Sequence, residues 1–163
     1  MATAGGRADA ARSPALQDRL DIADLLARYC VALDGRDWDL LGQVFTEDAA
    51  AEYGSAGSPR GLPAIVEVVR ASLEPLDASQ HFIGTSLIEA TGADEATGRT
   101  YLIAQHVKNG TPGGDLFTIA GTYVDRFVRT RDGWRIADRH LHHTWTQGNP
   151  AVLASHRAGP GTG

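Results

Sequence analysis

The sequence has little cysteine, little lysine and no long hydrophobic run. Cys30 is its sole cysteine, which excludes an intramolecular disulfide and a zinc site built from several thiolates. This fits a reducing compartment, and we expect a cytoplasmic protein. Lys108 is the sole lysine, and 15 Lys+Arg stand against 20 Asp+Glu, for a net charge of −5. We expect no nucleic-acid partner, because binding to phosphate backbones needs a basic patch.

Apolar runs are too short for a membrane span, which takes about 20 residues. Residues 1–14 are small and polar and lack the apolar core of a secretory signal, so we expect no contact with a membrane. Residues 1–14 and 150–163 are predicted to be a disordered tail and a flexible tail. One domain is then expected over residues 15–149, long enough to bury a core without disulfides or metals.

The pattern predicts three helices followed by a meander of strands. Apolar residues at helical spacing favour a first helix from Leu16 that stops at Gly35. A short second helix is expected from Trp38 through Phe45 with Asp37 as its N-cap, and a third has Pro63 in its first turn. A short strand falls near residues 49–53, and longer strands are predicted at 79–90, 100–107, 116–129 and 134–145.

Helices segregated from antiparallel strands indicate the α+β class. We expect a cone-shaped barrel, in which a strongly curved, mostly antiparallel sheet packs on three N-terminal helices around one deep apolar pocket.

Four residues are candidates for chemistry, and each also has a structural interpretation. Asp34 ends an apolar helix, where the macrodipole disfavours a carboxylate, so it is either a solvated cap or is held there for a function. His81 lies in "SQHFIGTSL", and strand alternation puts residues 81, 83, 85 and 87 on one face. It is either a core histidine or a base in an apolar pocket. His106 and Tyr53, taken alone, are typical packing residues.

Three of the six histidines fall in "DRHLHHTW", at His140, His142 and His143. They are either half of a metal site or part of a strand surface. Their spacing matches no closed ligand set, so we predict no metal and leave their roles open.

Four stretches, taken together, resemble one protein family. They are "YCVALDGRDWDLLGQVF", the following "EY", "SQHFIGT" and "GTYVDRFVRTRDGWRI". They resemble the SnoaL-like branch of the nuclear-transport-factor-2-like superfamily, over roughly residues 16–147. The resemblance implies the cone-shaped α+β fold and says less about activity.

Within this superfamily the polar residues are most similar to those of two enzymes. Scytalone dehydratase has the same residue types at the positions of Asp34, Tyr53, His81 and His106. Hexachlorocyclohexane dehydrochlorinase has an Asp–His pair matching Asp34 and His81 and an arginine resembling Arg139.

Three positions differ from these enzymes. Tyr29 replaces the lysine that the dehydrochlorinase has on its first helix. Leu33 and Val124 replace a tyrosine and an asparagine of the dehydratase. These changes imply a different substrate.

The resemblance implies general acid–base catalysis without a cofactor. His81 would be the base, Asp34 its orienting partner, Tyr53 the donor to an enolate and His106 a second acid. The expected activity is that of a dehydratase, a carbon–oxygen lyase, acting on a hydroxylated ketone or a polyketide-like or aromatic small molecule. An isomerase, a polyketide cyclase and a non-catalytic small-molecule-binding protein remain the alternatives.

The expected partners are a small-molecule substrate and other copies of the chain, as a dimer or trimer. The residues expected to line the substrate pocket are Tyr29, Phe82, Phe117, Ile119, Val124, Arg139 and Trp145.

Overall fold

The apolar stripe of the first segment forms a 20-residue helix, α1 (Leu16–Gly35). Its buried face includes Ile22, Leu26 and Leu33, and it packs against a strand of the sheet. The predicted end of this helix, at Gly35, lies within one residue of the observed end, but the residue that terminates the helix is Arg36. Gly35 is still helical, and Arg36 takes the left-handed conformation, with φ 56°.

The computed structural model describes residues 15–154 and contains three α-helices and five β-strands in that part of the chain. The α+β prediction is confirmed. The remaining elements are α2 (Trp38–Gly42), β1 (Phe45–Glu52), α3 (Leu62–Leu73), β2 (Ala78–Ala90), β3 (Glu95–Val107), β4 (Leu116–Thr130) and β5 (Gly133–Gly148). The predicted tail over residues 1–14 lies outside the described residues. No helix among them is long and apolar enough to cross a membrane.

The boundary between α2 and β1 was predicted wrongly. The helix ends at Gly42, and Phe45 begins a strand because it pairs in parallel with Ile136 of β5. This tertiary ladder overrides the local helical pattern. The predicted N-cap is confirmed, since the Asp37 side chain accepts a hydrogen bond from the Leu40 N–H at 2.9 Å.

The five strands form one curved, mixed sheet in the order β1-β5-β4-β3-β2, with β1 parallel to β5 and the other pairs antiparallel. The expected strongly curved, mostly antiparallel sheet packed on three helices is confirmed, and the strands themselves do not close into a complete barrel. β1 and β2 are the two edges of the sheet and do not pair with each other. The helices cover the concave face of the sheet.

Three β-bulges in β2 and β5 change which side chains face inward. Gly84 and Ser86 pair with consecutive residues of β3, which leaves Thr85 as an extra residue with φ 50°. In β5 the pairing skips Ala137 and Thr144 in the same way. A bulge bends a strand and shifts its alternation. The predicted face of residues 81, 83, 85 and 87 is therefore wrong beyond the bulge, where Ile88 is buried and Leu87 is exposed.

The folded chain continues past the predicted boundary at residue 149. Pro150–Val152 form a 3₁₀-helix, and Val152 is 1% exposed. The Asn149 side chain accepts the Ala151 N–H at 3.1 Å and fixes this turn. The prediction of a flexible tail from residue 150 is therefore wrong for Pro150–Val152, because an apolar side chain there completes the core.

Candidate active site

A cavity of about 340 Å³ lies between the helices and the concave face of the sheet. This volume is at the lower end of the range typical of small-molecule sites. Its wall combines helix residues such as Leu33 and Val69 with strand residues such as Leu102 and Ala104. The tyrosine and histidine side chains that line it are Tyr29, Tyr53, His81, His106, Tyr123 and His143.

Asp34 and His81 form a close pair beside this cavity. The Nδ1 atom of His81 lies 2.7 Å from Oδ1 of Asp34, and the backbone N–H of His81 donates to Oδ2 at 2.8 Å. The Ser79 hydroxyl donates to Oδ1 at 3.1 Å. β2 therefore presents three donors to one carboxylate at the end of α1. Asp34 lies behind His81, and it is the imidazole that reaches the cavity.

These hydrogen bonds determine the charge of Asp34. Burial opposes its ionisation, but the side-chain and backbone hydrogen bonds from His81, with help from Ser79, outweigh burial. The pKa of Asp34 is therefore held below its ordinary value of 3.8. An ionised Asp34 accepts the proton on Nδ1 of neutral His81, which leaves the Nε2 lone pair free.

His106 lies beside His81, with the two rings perpendicular and their centres 5.8 Å apart. The Nδ1 atom of His106 is 3.1 Å from the carbonyl oxygen of Phe117, which can only accept a hydrogen bond, so Nδ1 carries the proton. Burial and the nearby His81 lower the pKa of His106 from 6.5 to about 4. At neutral pH its Nε2 therefore carries no proton and acts as an acceptor.

Tyr53 and Tyr29 place their hydroxyls near each other, with 3.4 Å between the oxygens. Both residues line the cavity, together with Tyr123. Burial raises the pKa of Tyr53 well above its ordinary value, and the neighbouring Tyr29 adds to this effect. Tyr53 therefore stays protonated and can donate a hydrogen bond at any physiological pH.

Arg139, expected to bind substrate, is fully buried instead. Its Nε and Nη2 donate to the two carboxylate oxygens of Asp125 at 2.8 and 2.7 Å. Its guanidinium carbon lies 4.2 Å from the ring centre of Tyr29 and 4.0 Å from that of Tyr123. Burial opposes its charge, but Asp125 outweighs burial and keeps the pKa of Arg139 well above its ordinary value. Arg139 therefore supports the tyrosines from behind and does not line the cavity.

Of the other residues expected in the pocket, Tyr29 and Ile119 line it, and four do not. Phe82 is 71% exposed, because it alternates with His81 and points to the opposite face of the sheet. Val124 alternates with Tyr123 in the same way. The bulge at Thr144 turns Trp145 outward, where it is 47% exposed. Phe117 packs in the core and contributes only its carbonyl oxygen to the site.

The sequence did not single out Tyr123, Leu141 or His143 as cavity residues. Alternation carried that signal, because steps of two lead forward from Arg139 to Leu141 and His143 and forward from Ile119 to Tyr123. His140 and His142, with stacked rings 6.2 Å apart, lie exposed on the strand and away from the cavity. Within residues 15–154 no three His, Cys, Asp or Glu side chains are placed to hold a metal ion.

Two curated relatives cover most of the chain. An uncharacterised protein of Mycobacterium tuberculosis strain H37Rv is 36% identical over 125 residues, covering 76% of this chain and 84% of the relative. The terrestric acid biosynthesis cluster protein E of Penicillium crustosum is 32% identical over 146 residues, covering 86% of this chain and 92% of the relative.

Two solved structures share the fold at low identity. A proposed scytalone dehydratase of Novosphingobium aromaticivorans superposes with a TM-score of 0.76 at 20% identity, covering 90% of this chain and 97% of the other. A hexachlorocyclohexane dehydrochlorinase of Novosphingobium barchaimii gives 0.73 at 18%, covering 83% and 92%. The family model for the SnoaL-like domain matches residues 14–140. The chain therefore belongs to the SnoaL-like family, within the nuclear-transport-factor-2-like superfamily.

Proposed function

We propose that the protein is a cofactor-independent dehydratase that acts in the cytoplasm on a small hydroxylated ketone. The observation that carries this proposal is the Asp34–His81 pair, with 2.7 Å between Oδ1 and Nδ1, whose imidazole opens into an apolar cavity. A neutral imidazole of this kind is a suitable base for a carbon-bound proton next to a carbonyl.

In the first step the Nε2 lone pair of His81 takes the proton from the carbon next to the carbonyl. The electrons of the C–H bond move to the carbonyl oxygen and form an enolate. Asp34 stabilises the imidazolium through Nδ1 and keeps the ring in the required tautomer. The His81 side chain is 5% exposed, so little water competes for the base.

The enolate oxygen needs a donor, and Tyr53 is the one we assign. When Tyr29 donates to Tyr53, the Tyr53 proton is free to point into the cavity. A fixed hydroxyl in a site of low polarity stabilises developing negative charge far better than it does in water.

In the second step the enolate re-forms the carbonyl, a carbon–carbon double bond forms, and the bond from the β-carbon to its hydroxyl breaks. The departing oxygen takes the proton held on His81, so the net change is loss of one water molecule. The expected role of His106 as an acid is revised, because its Nε2 carries no proton at neutral pH. We assign it to accepting a hydrogen bond from a substrate hydroxyl.

Two relatives support a role in small-molecule chemistry. The relative from Penicillium crustosum is named for a biosynthetic cluster, and one structural neighbour is a proposed dehydratase. An isomerase or a cyclase would share the proton abstraction and differ in what the enolate does next.

The test separates these steps by using two measurements. Deuterium uptake next to the carbonyl, in deuterium oxide with a panel of ketones, reports the base alone. A product lighter by one water, measured by mass spectrometry, reports elimination. His81→Ala should slow both by roughly 10²–10⁴-fold, and Tyr53→Phe by about 10–10³-fold. His140→Ala, which removes an exposed histidine, is the matched control.

Uptake without loss of mass would favour an isomerase or cyclase over the dehydratase. Near-full turnover by His81→Ala, combined with a sharp fall in its melting temperature, would make His81 a core histidine and remove the enzyme assignment.

We also propose that copies of the chain associate through the outer face of the sheet. Register places Phe82, Ile103, Ala120 and Trp145 in one row across four strands, and three of these four side chains are exposed and large. Ala120 is buried between these bulky neighbours, so the row forms one apolar patch against which a second copy, related by a two-fold axis, can pack. Exposed apolar patches of this kind are typical of protein interfaces.

A further inference from the structure

Arg36 occupies a backbone position that glycine would favour. Its φ of 56° lies in the left-handed region, which costs a residue with a Cβ more than it costs glycine. The chain has a glycine one residue earlier, at Gly35, where the conformation is still helical and none is required. Such an outlier calls for an explanation in what the side chain does.

The side chain of Arg36 reaches back over the end of α1 to the strand that carries the base. Its Nη1 donates to the Leu33 carbonyl at 2.7 Å and lies 3.4 Å from the Asp34 carbonyl. The same atom donates to the Ser79 hydroxyl oxygen at 2.8 Å. Ser79 in turn donates to Asp34 Oδ1, the oxygen that also meets Nδ1 of His81.

The direction of these bonds is fixed by chemistry. A guanidinium has five N–H donors and no acceptor, so the Ser79 oxygen must accept from Arg36. The single proton of Ser79 is then left to point at Asp34. Without Arg36 the hydroxyl can rotate, and its proton can turn to water or to a backbone carbonyl.

We propose that Arg36 is a positioning residue of the Asp34–His81 pair, acting through Ser79. It fixes the Ser79 hydroxyl so that Asp34 Oδ1 receives two donors at once, and it thereby holds the carboxylate in the orientation that His81 needs. The inference rests on the proposed function only in taking His81 as the base. The hydrogen-bonded chain itself can be measured without a substrate.

The competing interpretation is that Arg36 only caps the helix, and Arg36→Gly separates the two. Glycine suits φ 56° better than arginine, so a pure capping role predicts an unchanged or higher Tm and an unchanged active pair. A positioning role predicts the same Tm with a loosened pair. Arg131→Gly removes an exposed arginine (92% exposed) in the β4–β5 turn, and it is the matched control.

The experiment follows the proton between His81 and Asp34 by NMR on protein labelled with ¹⁵N-histidine. In the unsubstituted protein this proton should give a far-downfield resonance. Arg36→Gly and Ser79→Ala should each speed its exchange with solvent about tenfold, the factor that one hydrogen bond of ordinary net strength is worth. The double variant should add nothing further, because both changes break the same chain. Arg131→Gly should leave the exchange unchanged.

A second readout is deuterium uptake into a ketone that the unsubstituted protein processes, where Arg36→Gly should lower kcat about tenfold at constant KM. If the resonance responds and no ketone exchanges, the proposed function fails and the positioning role stands. If Arg36→Gly keeps the original proton exchange rate, the positioning role is overturned whatever the ketones do. Should Arg36→Gly not fold, Arg36→Met, which keeps the alkyl chain and loses every donor, carries the same prediction and the same refutation.

Discussion

Replacing Asp34 by asparagine exchanges one carboxylate oxygen for an amide NH₂ that can only donate. Three donors face this group: the backbone N–H of His81, the Nδ1–H of the His81 ring and the hydroxyl of Ser79. If the amide oxygen takes the place of Oδ2, it still accepts the His81 backbone N–H, and the NH₂ faces Nδ1. The opposite orientation sets the NH₂ against that backbone N–H. Both groups can only donate, and the backbone N–H has no other partner among these contacts, so this orientation leaves it without a hydrogen bond.

The first orientation is therefore favoured, and it has a defined effect on His81. The imidazole can satisfy the NH₂ only by presenting a lone pair at Nδ1, so its proton moves to Nε2. A protonated Nε2 has no lone pair for the substrate. The equivalent change in a serine-protease triad costs roughly 10⁴ in kcat. We expect about 10³–10⁴-fold here, or about 4–5.5 kcal/mol of barrier.

Stability should change much less than activity. One charge-assisted hydrogen bond is lost, worth roughly 1.5–3 kcal/mol, while the shape is kept. For a chain of this size that lowers Tm by about 3–10 °C.

The assay is the ¹⁵N spectrum of the His81 ring, which reports which nitrogen carries the proton, followed by deuterium uptake on the same sample. Asp138→Asn, which makes the same change on the outer face of the sheet, is the control. A variant in which Nδ1 keeps its proton and uptake stays complete would refute the tautomer argument.

Four further predictions concern stability, assembly and metal content. The pKa of His106 falls from 6.5 to about 4 on folding, because burial disfavours the charged ring. The full stability is therefore present above pH 6.5, where His106 is neutral in both the folded and the unfolded state. That stability should be lost between pH 6.5 and 4, by roughly 3 kcal/mol, and denaturant titrations should show that His106→Gln removes most of this slope. Thr85→Gly should raise the unfolding free energy by about 1 kcal/mol, since a β-branched residue at φ 50° is strained; a lower value would mean the threonine side chain packs usefully. Phe82→Glu should reduce the mass measured by light scattering to that of a monomer while circular dichroism shows the same secondary structure, and an unchanged mass would contradict the proposed interface. Elemental analysis should find no stoichiometric metal, and zinc whose removal abolishes activity would overturn the metal-free mechanism.

The elements of the fold could be read from the sequence because local patterns determine them. The buried stripe of α1 and the N-cap at Asp37 follow from spacing and side-chain chemistry alone. The start of β1 at Phe45 could not be read, since its pairing with Ile136 joins segments about 90 residues apart in the sequence. The curved sheet covered by three helices was predicted, but the two edge strands were not, because no local pattern states whether two strands meet.

The site was predictable in part, and the errors trace to strand alternation. Asp34, His81, His106 and Tyr53 do gather at one place, although their roles are still proposals. Trp145 was placed inside because one extra residue, Thr144, shifts the pattern, and bulges leave no strong mark in a single sequence. Phe82 was placed in the pocket wrongly, although its alternation with His81 indicates that it faces outward.

β2 is an edge strand, and the backbone N–H of His81 on its open side donates a hydrogen bond to Asp34. In a sheet, such an outward-pointing N–H is where an additional strand from another chain can dock. The carboxylate takes the place that the carbonyl of such a strand would fill. The contact that orients the base therefore also blocks strand addition near the start of this edge strand. A variant such as Asp34→Ala would open that edge as well as lose activity, and it should be more prone to aggregate than its loss of stability alone explains.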